Sequence, residues 1–179
     1  MVYMLLGTGF EETEAIAPLD LLRRAGVEVL TVGVNGKTVT GGHGIGIQAD
    51  IELSQMDLTE LEMIILPGGL GGVASILGCE KVMQALPVVY EKGNYVAAIC
   101  AAPTILAKLG ITDGKWATCY PGMEDQMGDA KMSQLVAIRD GNVITGRSAG
   151  TAFDFALELI AALCGGEKAK EIAHQIVFE

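Results

Sequence analysis

The chain has 179 residues and a formal net charge of −10, from 12 basic and 22 acidic side chains. That balance repels a phosphate backbone and argues against nucleic-acid binding. No apolar run reaches the roughly 18 residues of a membrane span, and the start MVYMLLGTGFEE lacks the basic segment of a secretory leader, so a cytoplasmic protein without a membrane partner is expected.

Val2–Leu6 is a short apolar run stopped by Gly7 and reads as a buried strand. Thr8 and Glu11 have the spacing of a capping box. They open a helix expected to reach about Ala25, with Ala15, Ile16, Leu19 and Leu22 on its apolar side and Gly26 at its end. Pro18 lies inside this helix and crowds the carbonyl of Glu14, so a distorted turn is expected there. Val27–Val34 reads as a second strand. Asn35-Gly36 signals a hairpin, followed by short strands near Val39 and over Ile45–Ile47. Met63–Leu66 is a buried strand that runs into Pro67-Gly68-Gly69-Leu70-Gly71-Gly72, a tight glycine-rich turn. Glu80–Lys92 suits a helix interrupted by Pro87. Tyr95–Ile99 is a further buried strand, with Cys100 at its end.

Pro103 suits a first helical position, and its helix runs through Leu109 to Gly110. Trp116–Tyr120 reads as a strand. Val136–Ile138 and Val143–Thr145 flank Asp140-Gly141, a second hairpin signal. Thr151 with Asp154 opens a helix to Leu163, whose buried stripe is Phe153, Ala156, Leu157 and Ile160. Glu167–Gln175 forms the last helix. Strands alternating with helices predict an α/β fold, with a mostly parallel sheet covered on both faces. Without a linker or an internal repeat, one domain over residues 1–179 is expected. Half of the residues are hydrophobic and 19% are charged, against about 25% charged in an average soluble domain, which permits a self-association face.

In open α/β sheets, ligands bind beyond the carboxyl ends of the strands. Three such ends stand out here: GTGFEETE, PGGLGG and Cys100-Ala101-Ala102-Pro103. A cysteine between a strand and a helix sits in a tight turn, where helix-start amides favour thiolate and lower its pKa. The same position also suits an inert buried thiol. Gly7 and Gly9 begin a G-x-G-x-x-G pattern, but Glu12 replaces the third glycine, and three acids would repel a pyrophosphate. Glu11 and Glu12 complement the helix dipole. Glu14 lies deeper, where burial keeps a carboxyl protonated and able to donate to sulfur. PGGLGG lacks the Lys-Ser/Thr pair of a phosphate loop. It is either a packing turn or the source of a Gly69 amide that joins the Ala101 amide in an oxyanion-stabilising pair.

Cys79, Cys119 and Cys164 follow no metal-finger spacing, and only His43 and His174 are present, so no metal or other cofactor is expected. Free thiols in a reducing compartment fit best. Cys79 and Cys164 read as small hydrophobes and Cys119 as a candidate resolving thiol. His174 reads as a surface residue. His43, in Gly41-Gly42-His43-Gly44, reads as part of a flexible exposed loop.

GTGFEETEAIAPLDLLRRAGVEV, ILPGG, AAICAAPTILA and GTAFDFALELI, in this order, resemble the ThiJ/PfpI superfamily, in particular the branch of the parkinsonism-associated protein deglycase and its bacterial relatives. The resemblance implies a flavodoxin-like, doubly wound fold and a homodimer that buries the first helix and the segment around His43. It implies that Cys100 is the nucleophile, that Glu14 hydrogen-bonds it, and that Gly69 and Ala101 supply amides at the sulfur. The implied chemistry is glutathione-independent glyoxalase or deglycase action on aldehydes such as methylglyoxal, in stress protection. The alternative is a non-catalytic redox sensor or chaperone in which an oxidant converts Cys100 to sulfinate. Tyr120, Arg147 and His43 are further candidate neighbours of the site. Two departures stand out. Ala101 follows the cysteine where the protease-like branch has histidine, which argues against peptidase activity. Tyr120 stands where glyoxalase-type members often have histidine, which leaves acid–base work to Glu14, Tyr120 or water.

Overall fold

The structure is a computed structural model, and it describes residues 1–178. In chain order the elements are β1 (Val2–Leu6), α1 (Glu12–Arg24), β2 (Val29–Gly33), β3 (Thr38–Thr40), β4 (Gly46–Gln48), β5 (Ile51–Glu52), β6 (Met63–Leu66), α2 (Leu70–Leu77), α3 (Glu80–Glu91) and β7 (Tyr95–Ile99). They continue as α4 (Pro103–Lys108), β8 (Trp116–Ala117), β9 (Lys131–Met132), β10 (Ala137–Asp140), β11 (Val143–Gly146), α5 (Ala152–Cys164) and α6 (Gly166–Gln175).

Seven strands form the central sheet in the order β10-β11-β7-β6-β1-β2-β5. All its pairs are parallel except β10 with β11. Parallel strands need crossovers, and the helices that supply them cover both faces. The strands are therefore apolar on both sides, and alternate residues serve opposite cores. Met4, Leu6, Met63, Ile65, Ala97 and Ile99 pack on one side with Leu21 and Leu22 of α1 and with Phe155, Leu159 and Ile160 of α5. Tyr3, Leu5, Ile64, Leu66, Val96 and Ala98 pack on the other with Ile76 of α2, Val82 and Leu86 of α3, and Ile105 and Leu106 of α4. Each fully buried leucine or isoleucine contributes roughly 1.5–3 kcal/mol of transfer free energy. The result is the flavodoxin-like α/β sandwich that the resemblance implies. After β1 the chain adds β2 on one side and then crosses to place β6 on the other. The order thus reverses between β1 and β6, and at such a switch point a crevice opens beyond the strand ends.

Several local expectations need correction. Helix α1 starts at Glu12 with Glu11 as its cap, and Glu11 Oε2 accepts the Glu14 N–H at 2.7 Å. The Thr8 amide instead donates to Asn35 Oδ1 at 3.0 Å. Helix α1 runs on through Pro18 to Arg24, and its buried stripe is Ala15, Pro18, Leu21 and Leu22, while Ile16 is exposed. Pro18 thus packs inward on the core side. The glycine-rich turn holds only as far as Gly69, because Leu70-Gly71-Gly72 already begin α2. Gly72 has to be bare there, since a Cβ would lie 2.8 Å from Phe10 Cα. Beyond Ala117 the chain leaves β-pairing, so Trp116–Tyr120 is a strand only in its first two residues. In α5 the stripe is Phe155, Ala156, Leu159 and Ile160. Phe153 is exposed and stacks on Phe178, with ring centroids 5.7 Å apart. Cys164 is exposed rather than core. Among the described residues, no single helix is long and apolar enough to cross a membrane.

Candidate active site

The carboxyl ends of β1, β6 and β7 lie side by side, and each contributes one part of a site. Cys100 follows β7 directly. It has φ +66°, in the left-handed region that a side-chain-bearing residue seldom adopts and that costs about 1–3 kcal/mol unless its surroundings hold it. Here they do. The Cys100 N–H donates to Gly146 O of β11 at 3.0 Å, and the Cys100 carbonyl accepts from the Tyr120 N–H at 2.8 Å. Pro103 at the first position of α4 ends the turn. The sulfur therefore stands out of the strand, half-exposed, against core residues from both sides of the sheet.

Glu14 comes from the first turn of α1 and is completely buried. Its Oε2 accepts the Gly68 N–H at 2.9 Å. Its Oε1 has no hydrogen-bond partner of ordinary geometry, and its polar neighbours are the Cys100 thiol and the Ala149 amide. Gly68 permits this approach. A Cβ there would lie 2.7 Å from Cys100 Cβ and 2.9 Å from Ile99 O, and would overlap Glu14 Oε2. Gly69, at φ +83°, carries the chain past Gly9 and Glu11, where a Cβ would come within 2.6 Å of backbone atoms. The Glu11 N–H donates to Gly68 O at 3.0 Å, which locks the two loops together.

Burial pushes the Glu14 carboxyl up to about 7, opposed by its contacts with Cys100 and Gly68 and aided by the negative charge of Glu11. The thiol behaves opposite to the sequence expectation. Burial and then the carboxylate of Glu14 push Cys100 up to about 12, while the Ala101 and Gly69 amides pull it down. Helix α4 has six residues and little dipole to offer, so desolvation and the facing acid dominate. The two groups are one coupled acid. Beside an ionised Glu14 the thiol holds its proton. If the carboxyl keeps the proton instead, it faces a thiolate to which it can donate.

A cleft of about 510 Å³ opens over the sulfur, with Leu70, Tyr120, Pro121 and Met123 as walls and Glu11 on its rim. Gly69 and Ala101 also line it, so both amides named from sequence lie with Cys100 and Tyr120 in one place. Arg147 and His43 do not line it. The Arg147 guanidinium donates to Gln134 O at 3.2 Å. His43 faces Glu12, its Nδ1 lying 2.8 Å from Glu12 Oε2. Its backbone N–H donates to Glu12 Oε1 at 2.7 Å, so the segment read as a flexible loop is tied to α1. Cys119 is buried, and its sulfur lies 3.5 Å from Tyr120 O.

Sequence reasoning missed Glu11, which it assigned to the helix dipole, and the apolar walls Leu70, Pro121 and Met123. The only signal for either was adjacency to a strand end. Among the described residues, Glu11, Glu12 and His43 gather one metal-capable atom each within 4.8 Å. However, Glu12 is already committed to His43 and the Ile45 amide, and the positive end of α1 opposes a cation.

Residues 1–162 match the DJ-1/PfpI family. Protein dj-1beta of Drosophila melanogaster is 39% identical over 173 residues, covering 95% of this chain and 92% of that protein. Its crystal structure superposes with a TM-score of 0.93, over 99% of this chain and 97% of that one. A Caenorhabditis elegans protein named glutathione-independent glyoxalase DJR-1.2 is 34% identical, covering 90% of this chain and 87% of that one. The structure of oxidized Toxoplasma gondii DJ-1 superposes with a TM-score of 0.94 at 30% identity, over 99% of this chain and 97% of that one. The chain belongs to the DJ-1/PfpI family.

Proposed function

We propose that the protein is a glutathione-independent glyoxalase or deglycase that acts on reactive aldehydes such as methylglyoxal, with Cys100 as nucleophile and Glu14 as acid–base group. The observation that carries this reading is the Glu14–Cys100 pair: a buried carboxyl with a free oxygen beside a thiol held at φ +66° under an open cleft. The nematode relative's name supports the same chemistry.

The Cys100 sulfur, its proton passed to Glu14, forms a C–S bond with the aldehyde carbon and gives a hemithioacetal. The Gly69 and Ala101 amides stabilise the oxyanion at that carbon. Glu14 gives the thiol's proton to that oxygen, and its carboxylate then removes the hydrogen on the same carbon, while the electrons move to the adjacent carbonyl, whose oxygen takes up the hydroxyl proton of the first carbon. Return of the proton to the adjacent carbon leaves an acyl thioester. Water cleaves it, releasing lactate and regenerating the thiol, so that the sum is methylglyoxal plus water giving lactate. Steady-state lactate formation without glutathione, with Cys100→Ser as control, tests the reading. Lactate output from the native protein no higher than from Cys100→Ser would reject it.

A second reading has its own support in the oxidized relative. Peroxide would convert Cys100 to sulfinate, with a protonated Glu14 donating to one oxygen. Intact mass should rise by two oxygens at Cys100 and stay unchanged in Cys100→Ser. Oxidation of another cysteine in place of Cys100 would remove this reading. The resemblance also carries the proposal of a homodimer. Exposed Ile16, Ile45 and Phe153 lie along one groove of about 550 Å³ beside α1, which supports burial of that face by a second copy. Light scattering that finds only monomer at micromolar concentration would reject the dimer.

A further inference from the structure

The cleft over Cys100 carries charge of one sign. Glu11 is its acidic lining residue, and among the described residues no lysine, arginine or histidine lines it. Glu124 lies just behind the wall, where its Oε2 accepts the Gly122 N–H at 2.8 Å, so a second carboxylate backs the same rim. Two cations stand near the cleft but outside its lining. The Arg147 guanidinium donates to Gln134 O, and the His43 ring lies 2.8 Å from Glu12 Oε2 and 4.0 Å from Glu11 Oε1.

Glu11 cannot simply swing aside. Its Oε2 caps α1 through the Glu14 N–H at 2.7 Å, and its side chain is only 17% exposed. Its charge is felt at the reacting pair, where it helps to hold the proton on Glu14. The remaining walls, Leu70, Pro121 and Met123, are apolar, and Leu70 is 74% exposed. A carboxylate- or phosphate-bearing aldehyde entering this space would lose hydration, find no cation in the lining, and meet like charge at short range.

We infer that Glu11 is a specificity-determining residue: it bars anionic electrophiles from Cys100 and reserves the cleft for uncharged or cationic aldehydes with an apolar substituent. The substrate class rests on the proposed aldehyde chemistry, whereas the charge selection does not.

The test uses two reagents of nearly equal size, neutral iodoacetamide and anionic iodoacetate. In both, the Cys100 thiolate displaces iodide and forms a C–S bond. Alkylation rates at Cys100 are read by peptide mapping and expressed as a ratio, relative to the same ratio for free cysteine. The native protein should favour iodoacetamide by roughly fivefold or more beyond free cysteine, and the preference should shrink as salt is raised from about 0.02 to 0.5 M. Glu11→Gln keeps an oxygen to cap the Glu14 N–H but removes the charge. Its ratio should fall toward that of free cysteine, and its salt dependence should weaken. The variant also changes how much thiolate is present, but both rates scale together, so the ratio isolates the charge. A native ratio equal to that of free cysteine, or a preference undiminished in Glu11→Gln, would overturn the inference. Absence of lactate formation would reject the proposed chemistry and leave this ratio intact.

Discussion

Glu12 and Glu14 lie two residues apart in the first turn of one helix, and both are buried, yet they are opposite acids. Glu12 has every oxygen occupied. Oε1 accepts the His43 and Ile45 amides, Oε2 meets the His43 ring, and these bonds outweigh burial and hold its carboxyl below the usual range. Glu14 has one amide and an idle oxygen facing a thiol, and burial wins, raising it to about 7. Glu14 lies deeper in the protein, where burial outweighs its contacts, whereas at Glu12 the bonds to His43 and Ile45 prevail over a smaller cost of desolvation. A saturated carboxylate staples a loop, and an undersaturated one is available for chemistry.

The largest expected break of this contrast is in turnover. Glu14→Gln keeps the shape but cannot take a proton, so aldehyde turnover should drop by roughly 10²–10⁴-fold with a near-native melting temperature. Glu12→Gln should leave turnover close to native. Equal losses in both variants would mean that the two acids act alike and that the contrast has no catalytic meaning. Gly68→Ala should resemble Glu14→Gln in activity but also destabilise the fold, because its Cβ displaces both reacting side chains at once.

A second test reads protonation through stability. Because Glu14 titrates at about 7 when folded and at its ordinary 4.5 when unfolded, the folded chain binds the extra proton between those values. Stability should therefore be fullest below pH 4.5 with respect to this group and decline as pH rises to 7, by ~3 kcal/mol at most. Urea midpoints measured across that window should show the decline in the native protein and not in Glu14→Gln. Glu12 has the opposite sign: its contribution is present above 4.5 and fades as pH falls through its lowered folded value. Glu12→Ala should cost about 2–3 kcal/mol, the loss of charge-assisted bonds to two amides, and should speed hydrogen exchange at His43 and Ile45.

How far the sequence carried this picture differs between the same two places. Apolar runs ending in glycine or cysteine marked β1, β6 and β7, and with them the edge where Cys100, Gly69 and Glu14 gather, because parallel strands buried on both faces leave an unmistakable pattern. Period alone does not say which neighbour a helix faces, so it places Ile16 and Phe153 in the core although they border an open groove. Helix α2 was hidden because Gly71 and Gly72 argue locally for a turn, whereas contact with Phe10 selects bare glycine inside a helix. The Glu12–His43 pair joins residues 31 apart with no shared motif. The rise in the Cys100 pKa depends on how deeply two separate loops bury the thiol, which no local spacing records.

The smallest expected effect belongs to His43 itself. Its ring is 73% exposed, so replacing it removes little packing. The backbone bond from residue 43 to Glu12 Oε1, at 2.7 Å, does not need the ring and should survive in His43→Ala. What disappears is the charged contact to Glu12 Oε2, which raises the imidazole above its ordinary 6.5. A raised histidine contributes stability that is complete below its unfolded value and vanishes as pH climbs through the folded one. The native protein should therefore exceed His43→Ala in urea midpoint at pH 5.5, by less than it exceeds Glu12→Ala, and match it at pH 9. A gap that persists at pH 9 would show that the ring acts through packing rather than charge, and would move the staple from the ion pair to the two amides alone.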